Sequence, residues 1–239
     1  MLCVVAHPDD ECFAFGGALA LAGLKGVETH VVCMTEGQAA SNRGDSISNE
    51  ELGRMRREEF AASCAVLGVT QHELMDYPDG QLENVDFLMA AGRLVQKIRS
   101  FLPHVVLTFG LDGGLNTHPD HVMVSALTSA AFHWAASEKR FVALGDAHRA
   151  ERLFYVSTSY FMEDRPAPMP APWSVALDVR SVMQQKQRAF SQHTSQKPLM
   201  EKTRAMFEQH GHTEHYTLAA SQTPAPVAVT DSLFAGLSE

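Results

Sequence analysis

The chain of 239 residues is 45% hydrophobic and 20% charged, which is the composition of an ordinary globular protein. Its 19 Lys and Arg residues are outnumbered by 28 Asp and Glu residues. The resulting net charge of −9 argues against a nucleic-acid partner and against binding to an anionic membrane surface. At about 150 residues per domain the length suits one α/β domain, and we expect a single domain over residues 1–239.

The four cysteines form no Cys-x-x-Cys pair, and three lie in apolar stretches, which indicates reduced, mostly buried thiols. No apolar stretch reaches the roughly 18 residues that a membrane-spanning helix needs. The N-terminal residues lack the basic region of a secretory signal, and a charge follows at Asp9. These features predict a cytoplasmic protein that spans no membrane.

The first elements of the chain form a strand–helix–strand unit. Residues 2–6 are short and wholly apolar, which is typical of a strand buried on both faces of a parallel sheet. An Ala- and Leu-rich helix is predicted over 13–24 and a second strand over 29–34. Parallel strands need such a crossover helix between them.

The alternation of helices and strands continues through the first half of the chain. Apolar residues at helical spacing predict helices over 50–67, where Gly68 follows as a stop, over 84–101 and over 119–136. Strands are predicted at 72–75 and 104–109. This order predicts an α/β fold of the three-layer, Rossmann-like kind with a mostly parallel sheet.

The C-terminal part is less regular. Strands are expected at 152–160, at 173–177 and near 215–219, and a helix at 179–192. The four prolines within 166–172 indicate a loop.

An acidic loop, His7-Pro8-Asp9-Asp10-Glu11, follows the first strand directly. Ligands of open parallel sheets gather at the carboxyl ends of the strands, where this loop is expected. Carboxylates this close repel one another unless a cation holds them. The alternative is a solvated acidic turn in which Asp9 or Asp10 caps the following helix.

A second polar cluster follows the strand predicted at 104–109. A glycine-rich stretch over 110–114 leads into His118-Pro119-Asp120-His121, and Pro119 suits the first position of the next helix. The alternative is that both histidines merely satisfy hydrogen bonds at the helix end. Two His/Asp clusters at equivalent positions in the topology favour a shared site.

One imidazole and one carboxylate from the first loop, with one imidazole from the second, make three nitrogen and oxygen ligands. Three protein ligands and an open position are typical of a catalytic zinc, although Fe²⁺ or Mn²⁺ also suits such a donor set. Neither loop contains a thiolate ligand, which argues against a closed structural zinc site. We therefore predict a metal site at the carboxyl ends of the strands.

The two histidine motifs together resemble those of the PIG-L/LmbE-type zinc-dependent N-acetylglucosaminyl deacetylases. The resemblance extends in order from residue 3 to about residue 196. Shorter matching stretches are Thr35-Glu36-Gly37, Arg56-Arg57-Glu58-Glu59, Leu67-Gly68, Asp76-Tyr77-Pro78-Asp79-Gly80-Gln81-Leu82 and His193-Thr194-Ser195-Gln196.

The resemblance implies a metal site in which His7, Asp10 and His121 hold one zinc ion. It also implies that residues 1–137 form the core that carries the metal motifs, and that residues 150–239 contribute elements on the substrate side.

The same resemblance implies catalytic roles for further residues. Asp9 is expected to act as the general base on the metal-bound water. His118 is expected to stabilise the oxyanion and to protonate the leaving amine, with Asp120 orienting or tuning its imidazole. Arg56 is expected beside the substrate, with a surface ion pair to Glu59 as the alternative.

The function implied is a metal-dependent hydrolase that removes acetyl from an N-acetylglucosamine-type amino sugar or conjugate, so the expected partner is a small-molecule substrate. A nucleotide-dependent α/β protein is disfavoured, since no G-x-G-x-x-G or P-loop motif follows a strand. A non-catalytic metal- or sugar-binding module on the same fold, and a deacylase acting on a non-sugar amide, remain as alternatives. The sequence is also compatible with a homo-oligomer.

Overall fold

A computed structural model describes residues 1–114, 116–158, 172–226 and 228–237 of the chain. Helices and strands alternate through the described residues, as the sequence predicts. In chain order they are β1 (Leu2–Val5), α1 (Asp10–Phe13), α2 (Gly16–Leu24), β2 (His30–Thr35), α3 (Asn49–Leu67), β3 (Gln71–Tyr77), α4 (Phe87–Phe101), β4 (Val105–Thr108), α5 (Pro119–Ala135), β5 (Arg152–Ser157), β6 (Val175–Asp178), α6 (Met183–Phe190), α7 (Lys197–His210) and β7 (Thr213–Ser221).

Seven strands of the described residues form one sheet, in the order β3-β2-β1-β4-β5-β7-β6. The pairs β2–β3, β1–β4 and β4–β5 are parallel, and β7 runs antiparallel to β5. Strands β1 and β4 are buried along their whole length, as their apolar sequences require. The predicted α/β class, Rossmann-like with a mostly parallel sheet, is confirmed.

The chain divides into two compact units that each draw on several segments. One unit comprises Met1–Val4, Glu83–Leu177 and His215–Glu239, and the other comprises Val5–Leu82 and Asp178–Glu214. The expectation of a single domain over residues 1–239 stays a prediction.

In the first unit, α4 and α5 pack together, and Arg99 of α4 lies buried at the end of α5. The last carbonyl groups of a helix have no backbone N–H partner within the helix, and the Arg99 guanidinium supplies donors to them. It donates to carbonyl oxygens at distances of 2.6–3.4 Å, and these belong to Trp134, Ala135, Ser137, Arg140, Phe141 and Gly145.

In the second unit, a buried carboxylate lies at the start of α2. Glu214 accepts hydrogen bonds from the Gly17 N–H (2.6 Å) and the Ala18 N–H (2.9 Å), and it pairs with the buried Lys186 of α6. Glu214 thus satisfies amides at the first turn of α2, where a negative charge is also favoured by the helix dipole.

All four cysteines are free and buried, as predicted. None of the helices among the described residues combines the length and the apolar character needed to cross a membrane.

Several predicted boundaries are wrong, and one element was missed. The helix expected over 13–24 is two helices, α1 and α2, and the helix expected over 179–192 is confined to α6 after a short turn at Arg180–Val182. Helix α7 was not predicted, because none of its residues is fully buried and it therefore carries little apolar periodicity. The expected proline loop lies outside the described residues over 166–171, as do residues 159 and 160 of the strand expected at 152–160.

We predict that Arg99→Lys lowers the free energy of unfolding by about 2–4 kcal/mol. A lysine ammonium has three donors and no planar fork, so buried carbonyls at the end of α5 lose their partners. Urea unfolding measures the change. Arg93→Lys, on an exposed position of the same helix, serves as the control and should change stability by no more than about 0.5 kcal/mol. Equal effects of the two substitutions would contradict this role of Arg99.

Candidate active site

The acidic loop begins just after β1, and Ala6, the residue before it, is bonded to Thr35 at the end of β2. The Ala6 carbonyl accepts hydrogen bonds from the Thr35 N–H (3.0 Å) and from Thr35 Oγ1 (2.9 Å). Because this carbonyl is fixed to the neighbouring strand, the residues that follow leave the sheet in a defined direction.

Asp9 has an unusual backbone conformation, with φ 121° and ψ −28°. Side chains other than glycine rarely adopt positive φ, and such strain costs about 1–3 kcal/mol. The Asp9 side chain makes no capping hydrogen bond to α1, so it does not act as the helix cap that the alternative interpretation assigned to it. Its carboxylate Oδ2 instead accepts from Arg56, at 3.0 Å.

Arg56 of α3 is only 2% exposed, and its guanidinium holds the acidic loop. Besides Asp9 it donates to the Gly37 carbonyl (3.0 Å) and to the Pro8 carbonyl. Arg56 and Glu59 therefore do not form the surface ion pair considered from the sequence, since both are buried. The substrate-binding role of Arg56 stays a prediction.

Two opposing influences act on the Asp9 carboxyl. The pKa of Asp9 is raised to about 6, because the effects of burial and of the neighbouring Asp10 carboxylate outweigh the opposing charge of Arg56. Arg56 thus favours the ionised form of this carboxylate, against the effect of burial.

His7 lies between two carboxylates. Its Nδ1 is 3.5 Å from Asp10 Oδ2, and its Nε2 is 3.1 Å from Asp79 Oδ1. Burial raises the pKa of Asp79, but the hydrogen bond and charge of His7, together with the Ala39 N–H, outweigh it and the pKa is lowered. Asp79 had no role in the sequence prediction, and its only signal was the matching stretch over 76–82.

Glu11, the last residue of the acidic loop, is fully buried, and its two carboxylate oxygens accept three hydrogen bonds. Oε1 accepts from Ser63 Oγ (2.6 Å) and from His193 Nε2 (2.8 Å), and Oε2 accepts from the Asp9 N–H (2.9 Å). Burial raises the pKa of Glu11 and lowers that of His193, but their mutual attraction outweighs burial in both cases. Both shifts favour the ionised form of the pair.

The second cluster is built around the start of α5. Pro119 occupies the first turn and His118 is the N-cap, as predicted. The Asp120 N–H donates to His118 Nδ1 (3.1 Å), so in the neutral ring the proton is on Nε2. This bond is the helix-end role that the alternative interpretation gave to His118. Asp120 itself is fully buried.

His121 is 3% exposed and is held on two sides. Its ring stacks on Phe109 with 3.9 Å between centroids, and its Nδ1 lies 3.2 Å from the Gly113 carbonyl. A carbonyl only accepts, so Nδ1 carries the proton and Nε2 carries the lone pair of a metal ligand. Gly113 has φ 83°, and a Cβ there would lie 2.7 Å from Thr117 Cα, so the turn requires glycine.

The structure thus brings His7, Asp9, Asp10 and Arg56 together around the acidic loop, and His118, Asp120 and His121 around the start of α5. The donor set of imidazoles and carboxylates suits a divalent ion such as zinc. The imidazoles of His7 and His121 each have a hydrogen-bond partner on one ring nitrogen, as metal-ligating histidines usually do.

Comparisons with known proteins place this chain in one family. The model of the PIG-L family, described as GlcNAc-PI de-N-acetylase, matches residues 2–132. A mycothiol S-conjugate amidase of Streptomyces coelicolor is 34% identical over an alignment of 177 residues, gaps included, that covers 65% of this chain and 59% of that protein. A 1D-myo-inositol 2-acetamido-2-deoxy-alpha-D-glucopyranoside deacetylase of Rhodococcus jostii is 26% identical over an alignment of 238 residues, gaps included, that covers 82% of this chain and 81% of that protein.

A solved structure shows the same fold with a different named activity. The 4-carboxy-2-hydroxymuconate hydratase of Pseudomonas putida has a TM-score of 0.74 and 22% identity, and the match covers 95% of this chain and 98% of that one. At this identity the likeness shows the fold alone, so function has to be argued from the site.

We predict that Gly37→Ala destabilises the protein more than Gly68→Ala. Both glycines have positive φ (62° and 75°), so each substitution costs about 1–2 kcal/mol of backbone strain. A Cβ at Gly37 would also lie 2.2 Å from Arg56 Nη1, whereas nothing lies within 4 Å of one at Gly68. Moving Arg56 breaks its charged hydrogen bonds, which should add about 1.5–3 kcal/mol in urea unfolding. Equal losses would show that Arg56 is free to move.

Proposed function

This chain belongs to the PIG-L family of GlcNAc-PI de-N-acetylases, and we propose that it is a metal-dependent amide hydrolase. Its proposed substrate is an N-acetylglucosamine-type amino sugar or conjugate, from which it removes the acetyl group. The named activities of the amidase and deacetylase relatives support an amide bond as the target.

The proposed metal ligands are His7, Asp10 and His121, with zinc as the expected ion and Fe²⁺ or Mn²⁺ as alternatives. One observation carries this proposal: within the second unit, His7 Nδ1 and Asp10 Oδ2 lie 3.5 Å apart and each offers a ligand atom. In the first unit, the tautomer of His121 places a lone pair on Nε2. The topology supports it as well, because the loop and the helix that supply them follow β1 and β4, which pair in parallel.

His118 is the other imidazole at the start of α5 that could serve as a ligand. The tautomers favour His121 over His118. His118 accepts at Nδ1 and so carries a proton on Nε2, whereas His121 donates from Nδ1 and keeps the Nε2 lone pair. His118 is therefore better suited to donate a hydrogen bond than to bind a cation.

The remaining residues supply the proton transfers of amide hydrolysis. When bound, a divalent cation polarises the amide carbonyl and lowers the pKa of a water molecule toward neutrality. Asp9, ionised beside Arg56, takes the proton of the attacking water as oxygen adds to the carbonyl carbon. His118 donates a hydrogen bond from Nε2 to the developing oxyanion, with the buried Asp120 tuning its imidazole. Because His118 Nδ1 accepts the Asp120 N–H, the neutral ring has no second proton to give, and Asp9 passes the proton taken from water to the nitrogen as the C–N bond breaks.

We predict about one divalent ion per chain in protein purified without chelators. Asp10→Ala should abolish the bound metal because it removes a ligand, whereas Asp9→Asn should retain it. Elemental analysis by mass spectrometry measures both variants. Metal retained by Asp10→Ala at the wild-type level would remove Asp10 from the ligand set.

We predict that the protein releases acetate from N-acetylglucosaminyl conjugates. Asp9→Asn should lower the kcat of this reaction by a factor of roughly 10²–10⁴, because it removes the general base. The assay panel contains the inositol conjugate named for the Rhodococcus relative, free N-acetylglucosamine and a non-sugar N-acetyl amine. Asp146→Asn, which changes an exposed carboxylate, is the matched control and should keep full activity.

The outcomes of this panel separate the alternatives. Release only from the non-sugar amide would favour a deacylase of another substrate class. Metal binding with no acetate release from any compound would favour a non-catalytic binding module.

A further inference from the structure

The buried Glu11 carboxylate connects the acidic loop to two distant parts of the second unit. One of its oxygens is held by Ser63 of α3 and by His193, which follows α6. The other oxygen accepts the Asp9 N–H at 2.9 Å. This last bond is to a backbone amide, so Glu11 acts on the conformation of Asp9 rather than on its side chain.

The backbone of Asp9 needs such a restraint. Its φ of 121° lies in a region that side chains rarely adopt, so the residue relaxes unless its surroundings hold it. On the carbonyl side, the Phe13 N–H (2.9 Å) and Cys12 Sγ (3.1 Å) donate to Asp9 O and fix it as part of the first helical turn. On the amide side, the restraint is the Glu11 carboxylate.

His193 in turn determines where the Glu11 carboxylate lies. Both side chains are fully buried, and the His193 Nδ1 has no hydrogen-bond partner among the described residues. Among the described residues, the His193 ring is therefore held by the hydrogen bond between its Nε2 and Glu11 Oε1. The backbone after His193 is anchored to α3, since Glu59 accepts from the Ser195 N–H and from Ser195 Oγ, both at 2.7 Å.

We propose that Glu11 and His193 are positioning residues, which hold the strained backbone of Asp9 so that its carboxylate stays beside Arg56 in the orientation needed to accept a proton. This inference rests on the proposed function of Asp9 as general base. It adds that the base is oriented through its own amide by a buried pair that does not touch the substrate.

The first test does not depend on activity. We compare amide hydrogen exchange of the Asp9 N–H by NMR in the wild type, in Glu11→Met and in Glu214→Met. Glu214 is the matched control, because it is also a buried carboxylate that accepts backbone N–H groups and pairs with a cation. We expect exchange at Asp9 to be at least about tenfold faster in Glu11→Met only. Unchanged protection in that variant would overturn the proposal.

Two further variants, Glu11→Gln and His193→Leu, keep the test decisive if Glu11→Met fails to fold. Glu11→Gln keeps an acceptor for the Asp9 N–H and should restore most of the protection lost in Glu11→Met. If Glu11→Met does not fold, His193→Leu carries the same comparison, since it removes the group that orients Glu11. Wild-type protection of Asp9 in a folded His193→Leu variant would exclude His193 from the proposed role.

The second test is a double-mutant cycle measured by acetate release at saturating metal. We expect Glu11→Met to lower kcat by up to about 10²-fold with little change in KM, because the base is misplaced. In an Asp9→Asn background the same substitution should have no further effect on kcat, whereas general structural damage would lower it equally in both backgrounds. Equal reductions would overturn the proposal.

The two hypotheses fail in different ways. If Asp9→Asn alone leaves kcat unchanged, the proposed function of Asp9 is wrong, and the exchange measurement still decides whether Glu11 holds its backbone. If Asp9→Asn lowers kcat but Glu11→Met changes neither kcat nor amide exchange, the proposed function stands and the positioning role is wrong.

Discussion

Three acidic residues in succession, 9–11, follow a strand that is buried along its whole length, and the charge of each must be balanced separately. Arg56 pairs with the first, His7 lies beside the second and His193 pairs with the third. Buried carboxylates without such partners would take up protons or expel the loop from the protein. The loop conformation therefore depends on cationic or hydrogen-bonding groups from α3, from the loop itself and from the segment that follows α6.

Helix α3 is the element that connects these segments. Arg56 and Glu59, one turn apart on its buried face, point their charges in different directions: Arg56 binds the acidic loop, and Glu59 binds Thr194 and Ser195. Ser63, one further turn along, donates to Glu11. A single helix thus holds the loop that carries Asp9 and the turn that carries His193.

Much of the fold could be predicted from sequence, because its strands are short apolar runs and its helices repeat apolar residues at helical spacing. The polar start of α5 was also readable, since Pro119 and the preceding histidine are local signals. Helix α7 and the antiparallel direction of β7 carry no such local signal. The pairing of Glu11 with His193 joins residues 182 positions apart, and a single sequence does not reveal which distant side chain will balance a given charge.

The buried cysteines have a consequence for chemical reactivity. Burial raises the pKa of Cys12 and Cys33 well above the usual thiol range, and nearby carboxylates add to this, so the thiolate form is scarce at neutral pH. Alkylating reagents and peroxide attack the thiolate, and they reach these sulfur atoms only when the backbone opens. Since Cys12 Sγ donates to the Asp9 carbonyl, the rate at which this sulfur is alkylated measures how often the chain around it opens.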